Sequence, residues 1–557
     1  MLKLMKNWKF IFLFTLLLLY LTYFGVVYEN ELELPSENWS RNLSLTEFKV
    51  DSISNTMSNN NIFSLPLIDK NAFLTLWFEN NTINYLETND IGVVTLKGTL
   101  DLNTKSVRKI RGILKGDIIA LYILENKELK EYELNANTKE IISNKIIATQ
   151  IKDFIVENDL FMYSDDNSFN LIDSSGKIET IENIKAERYE VTKDLNNELY
   201  HIVLYEKTNI GDKFLNYLTY NLKSNNLTRH KLTSLGNSTK MSLNRVDIGL
   251  INDTINILAS VTDNRFAVNT LHHFKFSPDD PSSFSKNTLN IDSLTNSLIP
   301  SPQILKNEKN SLTFIASGNI IKGKDTETIN LIKYTLDDKG NLVDQKLLTK
   351  TNSTSLNPYY FTLNGHNYLV STDINGKDKQ ILLSSDNGDV INASKKLTGR
   401  EMTDLFMATF TSLVPTAFIS LISVMNIFVP IILFIFIVSV VNLRLIENYS
   451  TKMFIIILVL HSALKASFST RYILSNSEVY NFLPSFLKNP LSLYFLLALG
   501  TLIALYCLKM FLESSKHRRH LIKSYSFFAF IDLAIFTFLT TPYIYSYLLF
   551  TYKINLS

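Results

Sequence analysis

His461 and Lys465 stand four residues apart in an apolar run, and Asp532 stands in another. Positions i and i+4 share one face of a helix, so the imidazole and the ammonium of the first run point the same way. Measured from the ends that the flanking charge places in the cytoplasm, Asp532 lies about six residues in and His461 about eight. At about 1.5 Å per residue the two depths differ by about 3 Å, which opens an Asp532–His461 or Asp532–Lys465 contact. A lysine at the centre of a bilayer costs about 2.5–3.5 kcal/mol on insertion scales, so its presence asks for a reason. One reading is a polar pair inside a helical bundle, serving a proton or substrate path. The other is that Lys465 snorkels to the headgroups and Asp532 toward the cytoplasm.

Elsewhere the reactive residue types are scattered. His272-His273 is a histidine pair, but neighbours on a strand point to opposite faces, so a shared metal is not expected. Asp373-x-Asn375-Gly376-x-Asp378 has a passing likeness to a calcium loop, yet no glutamate completes the ligand series, and a hairpin turn explains it better. The sequence contains no G-x-S-x-G, H-E-x-x-H, C-x-x-C or Walker A pattern. A non-enzymatic protein without cofactor or metal is therefore expected, and an ATPase is excluded for this chain alone. Cys507 is the one cysteine, which rules out a disulfide framework within the chain. A net charge of +2 gives no reason to expect a nucleic acid partner. The abundance of Asn, Lys and Ile fits an AT-rich bacterial genome, and the lack of disulfides fits a bacterial envelope protein.

The elements that must hold the three candidate residues are membrane spans. Lys3, Lys6 and Lys9 precede an uncharged run from Phe10 to Tyr28, and Glu29, Glu31, Glu33 and Glu37 come after it. Positive charge before the run and acid after it place the N-terminus in the cytoplasm and carry the middle of the chain across the bilayer. Residues 1–28 are read as an uncleaved anchor, since Gly25-Val26-Val27-Tyr28 is a poor cleavage site. Four further spans are expected at 423–443, 453–473, 491–511 and 527–549, within a bundle covering 423–550. Arg444 and Lys452 flank one loop, and Lys509, Lys516, Arg518, Arg519 and Lys523 crowd another; both then face the cytoplasm. The stretch 401–421 is apolar but carries Thr409, Thr411, Ser412, Pro415, Thr416 and Ser420. It is expected to form an interfacial or re-entrant helix. Pro415, Pro430 and Pro542 lie in apolar helical sequence and can kink it.

Between these regions, residues 43–398 alternate with period two and are broken by polar turns. Asp173-Ser174-Ser175-Gly176, Asp337-Asp338-Lys339-Gly340, Asn375-Gly376 and Asp386-Asn387-Gly388 carry the Gly and Asn that tight hairpins need. Alternating apolar pairs recur at Leu100-x-Leu102, Tyr132-x-Leu134, Phe169-x-Leu171, Tyr220-x-Leu222, Phe274-x-Phe276, Tyr334-x-Leu336 and Ile381-x-Leu383, each able to face one inter-sheet layer. A second strand precedes most of them, as at Asp117–Tyr122 and Ser311–Ile315. This pattern resembles the irregular β-propeller domains of bacterial envelope proteins, in architecture only. The resemblance implies an all-β extracytoplasmic domain of about seven blades, with an α-helical transmembrane bundle after it. A pair of β-sandwiches is the alternative.

Three functions fit this layout. The first is a multi-pass membrane protein whose outer propeller binds a ligand or protein, acting as sensor or accessory subunit of a membrane complex. Its partners are then the lipid bilayer and another membrane protein. The second is the membrane subunit of a transporter with a separate ATPase subunit. One anchor, a large outer domain and a bundle resemble mechanotransmitting ABC permeases in that order of parts. The third is an extracytoplasmic propeller hydrolase or lyase.

Overall fold

The computed structural model describes all residues except 1–6, 50–61, 80, 103–105, 158–159, 174–175, 195–197, 208–211, 238–240, 267, 295–300, 306–310, 323–325, 377, 398, 442–449, 476–479, 481–482, 515–519, 551 and 555–557. Lys3, Lys6, Arg444, Lys516, Arg518, Arg519 and the Ser174-Ser175 turn thus lie outside the described residues. The chain forms two compact units, one mostly β and one helical.

The β unit is built from antiparallel sheets of four strands, in which each strand pairs with the next in sequence. Blades 1 to 5 cover residues 62–100, 107–148, 153–182, 186–237 and 241–289. Blade 6 covers 303–347, and blade 7 takes its three inner strands from 354–385. The outermost strand of blade 7 comes from the other end of the unit: Leu43–Lys49 pairs antiparallel with Asp378–Ser385. A parallel bridge, Ile329 to Thr354, links blades 6 and 7. From blade 1 to blade 6 the first strands of successive blades lie against one another, and that of blade 7 meets blade 6 through this bridge and the first strand of blade 1 directly, so the blades close into a ring. The unit is a seven-bladed propeller with its closing strand supplied by the N-terminal side.

Apolar pairs at alternate positions pack into layers between neighbouring blades. Blades 1 and 2 share a layer holding Phe63, Leu74, Ile119 and Tyr132. Blades 3 and 4 share Met162, Phe169, Tyr189 and Ile202. Six of the seven sequence pairs belong to third strands or their ends, as Tyr132 and Leu134 do. The seventh, Leu100-x-Leu102, instead ends the fourth strand of blade 1, and Ile83-x-Tyr85 occupies the third. Period-two alternation marks a face of a strand and carries no information about its place in a blade.

The abundant asparagine has a local use. Asn126-Lys127, Asn252-Asp253 and Asn364-Gly365 form two-residue hairpin turns with both φ angles positive, between 47° and 78°. Such turns suit the twist of paired strands, and Asn tolerates the left-handed region better than other residues with a Cβ. Asp337–Gly340 and Asn375-Gly376 also turn hairpins, with Gly340 and Gly376 at positive φ. Asp386-Asn387-Gly388 does not. There Asn387 caps a helix, its side chain accepting the Asp389 N–H at 2.9 Å, because the next element is a helix and not a strand.

Gly318, in blade 6, is needed for close approach. A Cβ there would lie 2.5 Å from Ile332 Cδ1 and 2.8 Å from the Ser293 carbonyl oxygen. Gly318→Ala is expected to destabilise the propeller by about 1–3 kcal/mol through overpacking, read as a lower midpoint in chemical denaturation.

The main helices of the helical unit are α1 (Trp8–Leu32), α3 (Gly399–Thr411), α4 (Leu413–Val441), α5 (Thr451–Ser469), α6 (Pro490–Ser514) and α7 (Leu521–Phe550). The short α2 (Gly388–Ser394) belongs to the β unit. Among the described residues four helices are long and apolar enough to cross a membrane: α1, α5, α6 and α7. α4 adds an apolar stretch over Met425–Val441. The helix α7 packs against α1, α4 and α6, and is the most buried of the four.

The sequence places a boundary between 421 and 423, with a separate helix before it; the structure does not. Instead α4 runs unbroken from Leu413 through both stretches, and the interruption falls at Ser412. Three of the polar residues that suggested an interfacial helix share one face, while Thr411 is exposed. Thr409, Ser412 and Thr416 are at most 1% exposed. They turn toward α1, where the Tyr20 hydroxyl meets Thr409 at 3.2 Å and that of Tyr23 meets Ser412 at 2.9 Å. Their hydroxyls also bond carbonyls one turn back, so they sit in apolar helix without breaking it. With Tyr23 and Val27 fully buried, α1 is an integral part of this unit. Pro415 falls in the first turn of α4, where its missing N–H is harmless, while Pro430 and Pro542 lie inside α4 and α7.

Candidate functional site

Two polar constellations stand out, one in each unit. In the helical unit α5 carries His461 and Lys465 on its buried face, and α7 carries Asp532. The Asp532 carboxylate accepts from His461 Nε2 at 2.8 Å and from Lys465 Nζ at 2.8 and 2.9 Å. A third donor comes from α6: the Thr501 hydroxyl bonds Asp532 Oδ1 at 2.9 Å. Lys465 completes its shell with Thr501 Oγ1 at 2.6 Å and the Leu497 carbonyl at 3.2 Å. His461 Nδ1 faces the Tyr525 hydroxyl at 3.2 Å, and Phe428 of α4 stacks on that ring.

Asp532 and His461 are fully buried and Lys465 is 3% exposed. The structure thus brings all three residues together, and the snorkelling alternative does not occur. Lys465 turns inward because α7 is central and presents its carboxylate to the face that carries the ammonium. Charges removed from water persist only when paired and hydrogen-bonded, and here both carboxylate oxygens are used. Thr501 and Tyr525 escape a reading of sequence alone. Tyr525 carried a signal, since it precedes Asp532 by two helical turns and so shares its face.

In the propeller the first strands of blades 2, 4, 5, 6 and 7 line a cavity of about 710 Å³ at the ring centre. Its wall includes Arg111, Glu190, Arg245, Asp247, Gln303 and Tyr359. Arg111 is held rigidly. Its Nη1 donates to the Ile110 carbonyl at 2.8 Å and to the Tyr359 hydroxyl at 3.1 Å. Its guanidinium lies 5.8 Å from the ring centres of both Phe63 and Tyr359. Tyr359 in turn donates to the Ile62 carbonyl. Burial, and then the Arg188 guanidinium, pull the pKa of Arg245 below its ordinary value, while Glu190 opposes them. Asp247 accepts the backbone N–H of Ile248 at 2.8 Å and of Ile304 at 2.5 Å, which fixes its carboxylate in place. The Gln303 side-chain carbonyl is buried without a hydrogen-bond partner among the described residues. Next to the cavity, Lys109 pairs with Asp153 at 2.7 Å.

No protein-family model matches the sequence, and no curated protein matches it. Solved structures do. The chain is similar to the N-terminal domain of Nup159 at 10% identity and a TM-score of 0.39, over 63% of this chain and 97% of that one. It is similar to Saccharomyces cerevisiae Sqt1 at 10% identity and a TM-score of 0.33, over 61% of this chain and 98% of that one. Kluyveromyces lactis Hsv2 matches at 10% identity and a TM-score of 0.26, over 52% of this chain and 99% of that one. The propeller assignment rests on the strand pairing of this chain and not on these likenesses.

His272 and His273 sit on the third strand of blade 5 and face opposite ways. His273 is buried with Nε2 on Asn256 at 2.9 Å, and His272 meets Thr288 at 3.0 Å. Among the described residues no group of three or more His, Cys, Asp or Glu side chains could hold a metal ion. In the calcium-like stretch, Asn375 and Asp378 pair across a hairpin, and Asp373 is taken up by the hydroxyls of Thr351, Ser353 and Ser355.

Three histidines wholly or partly withdrawn from water lead us to expect an acid-sensitive propeller. Burial lowers His201, His272 and His273 from 6.5 to about 4. The unfolded chain therefore binds protons that the folded chain refuses between those two values. The stabilisation is complete above the unfolded pKa and is lost as pH falls through the folded one. Denaturant midpoints are expected to fall steadily from pH 7 to pH 4, and His201→Phe is expected to flatten that slope. An unchanged slope in the variant would contradict this.

Proposed function

We propose that this chain is a membrane-embedded binding protein, whose propeller takes up a ligand outside the cytoplasm while the helices hold it in the bilayer. The observation that carries this reading is the cavity at the ring centre, walled by fixed charges from separate blades. Pockets of roughly 300–1,000 Å³ with a few convergent polar groups are the usual form of small-molecule sites. The proposed orientation rests on the charge at the two ends of α1, with Lys9 in its first turn and Glu33 and Glu37 at and beyond its end. In this reading the protein is a sensor or accessory subunit rather than an enzyme, and it works beside another membrane protein. The Asp532 cluster fastens α5, α6 and α7 together and so keeps the anchoring helices in one arrangement.

Two measurements test this. A reporter fused near Ser224 should be active only outside the cytoplasm; activity in the cytosol rejects the orientation. The full-length protein in nanodiscs should show a raised melting temperature with a low-molecular-weight extract of the source cells. No shift at any extract concentration rejects the binding reading.

A further inference from the structure

We infer that the propeller cavity is a site for a small zwitterionic peptide, whose terminal carboxylate docks on Arg111 and whose ammonium faces Glu190, Asp247 and Gln303. This rests on the binding reading above and names its ligand class. Arg111 shows no carboxylate partner among the described residues, and its hydrogen bonds to them all run through Nη1. The remaining guanidinium edge, Nε and Nη2, is the geometry that takes a carboxylate through two parallel bonds. The rings of Phe63 and Tyr359 and the Tyr359 hydroxyl hold that fork in one orientation, so little order has to be gained on binding.

The far wall carries both signs, with the carboxylates of Glu190 and Asp247 beside the guanidinium of Arg245. Arg111 belongs to blade 2, whereas Glu190, Asp247 and Gln303 belong to blades 4, 5 and 6. In a ring of seven these blades lie across the channel. Asp247 is pinned by two backbone N–H groups, and the buried Gln303 carbonyl oxygen lacks a donor among the described residues. A buried acceptor without a donor is a standing cost that a ligand N–H relieves. The cavity wall carries two guanidiniums and two carboxylates, a balance that matches a ligand with one charge of each sign better than a polyanion such as phosphate, and the charged wall rejects an apolar ligand. A molecule with a carboxylate at one end and an ammonium at the other satisfies both walls. A volume of about 710 Å³ leaves room for more than one residue.

Isothermal titration of the full-length protein in nanodiscs with trialanine tests this. Trialanine should bind, and its C-terminal amide should bind about tenfold or more weakly, since a charge-assisted pair is lost. Arg111→Lys should weaken trialanine by a similar factor and leave the amide unchanged, because only the planar fork is removed. Glu190→Gln should weaken trialanine but not its N-acetyl form. An unchanged melting temperature shows that each variant is folded. Equal binding of trialanine and its amide, tighter binding of inorganic phosphate, or full binding by Arg111→Lys overturns the assignment. A melting shift from the cell extract with none from trialanine at about 10 mM, where even a site of about 1 mM Kd is mostly filled, overturns the peptide class and leaves the binding reading intact. No shift from either overturns both.

Discussion

Asp532→Asn is expected to destabilise the full-length protein in detergent by about 3–5 kcal/mol, the largest effect of any single substitution in the helical unit. Among the described residues the carboxylate is the one charged acceptor bonded to Lys465, and it also takes the His461 and Thr501 donors. The amide keeps the shape but leaves an ammonium, 3% exposed, without that counter-charge. Lys465→Met alone should cost less, because His461 and Thr501 still serve the carboxylate. The double variant Asp532→Asn with Lys465→Met should recover much of the loss, since neither charge then remains buried. Such non-additivity between touching residues is what a double-mutant cycle measures. Unfolding in graded detergent denaturant, monitored by far-UV circular dichroism, reads all three variants. Fully additive losses would show that Lys465 and Asp532 do not act as a pair.

Trp39→Ala is expected to cost the propeller about 3–5 kcal/mol, the usual range for deleting a buried tryptophan. Trp39 is 6% exposed and stacks on Tyr360 at 6.3 Å. Its indole N–H donates to the Leu348 carbonyl at 2.9 Å and to Ser384 at 3.1 Å. It lies just before the closing strand, beside Ser40, which exchanges bonds with Ser385 at 2.8 and 2.9 Å. Loss of this anchor loosens the one seam at which the ring opens. The closing strand should therefore become the first site of protease attack, ahead of any inner strand. Trp39→Phe should restore part of the midpoint, because it keeps the stacking and loses the donor. A midpoint for Trp39→Ala within about 0.5 kcal/mol of the parent would place it among ordinary surface changes and remove the anchoring role.

The seam itself was not legible in the sequence. Leu43–Lys49 alternates like any other strand, and nothing local says that its partner is Asp378–Ser385, at the far end of the unit. The blade interiors were legible, because Tyr132-x-Leu134 or Phe274-x-Phe276 must each bury one face. Leu100-x-Leu102 was misplaced within its blade for the same reason: inner and outer strands alternate alike. Asp386-Asn387-Gly388 carried hairpin chemistry that a helix cap uses equally well. Nothing in the sequence near Thr409 and Ser412 says that Tyr20 and Tyr23 of α1 meet their hydroxyls.

Short-range physics was enough for several conclusions. Apolar length marked out membrane-crossing candidates, period two gave the strands, and the i to i+4 spacing put His461 and Lys465 on one face. What only tertiary structure decided was which groups meet: that α7 is central, that Thr501 joins Asp532, and that Arg111 and Asp247 share one cavity. Periodicity fixes the direction of a side chain relative to its own element. Its neighbours are chosen by the packing of elements far apart in the chain, and no local pattern encodes that.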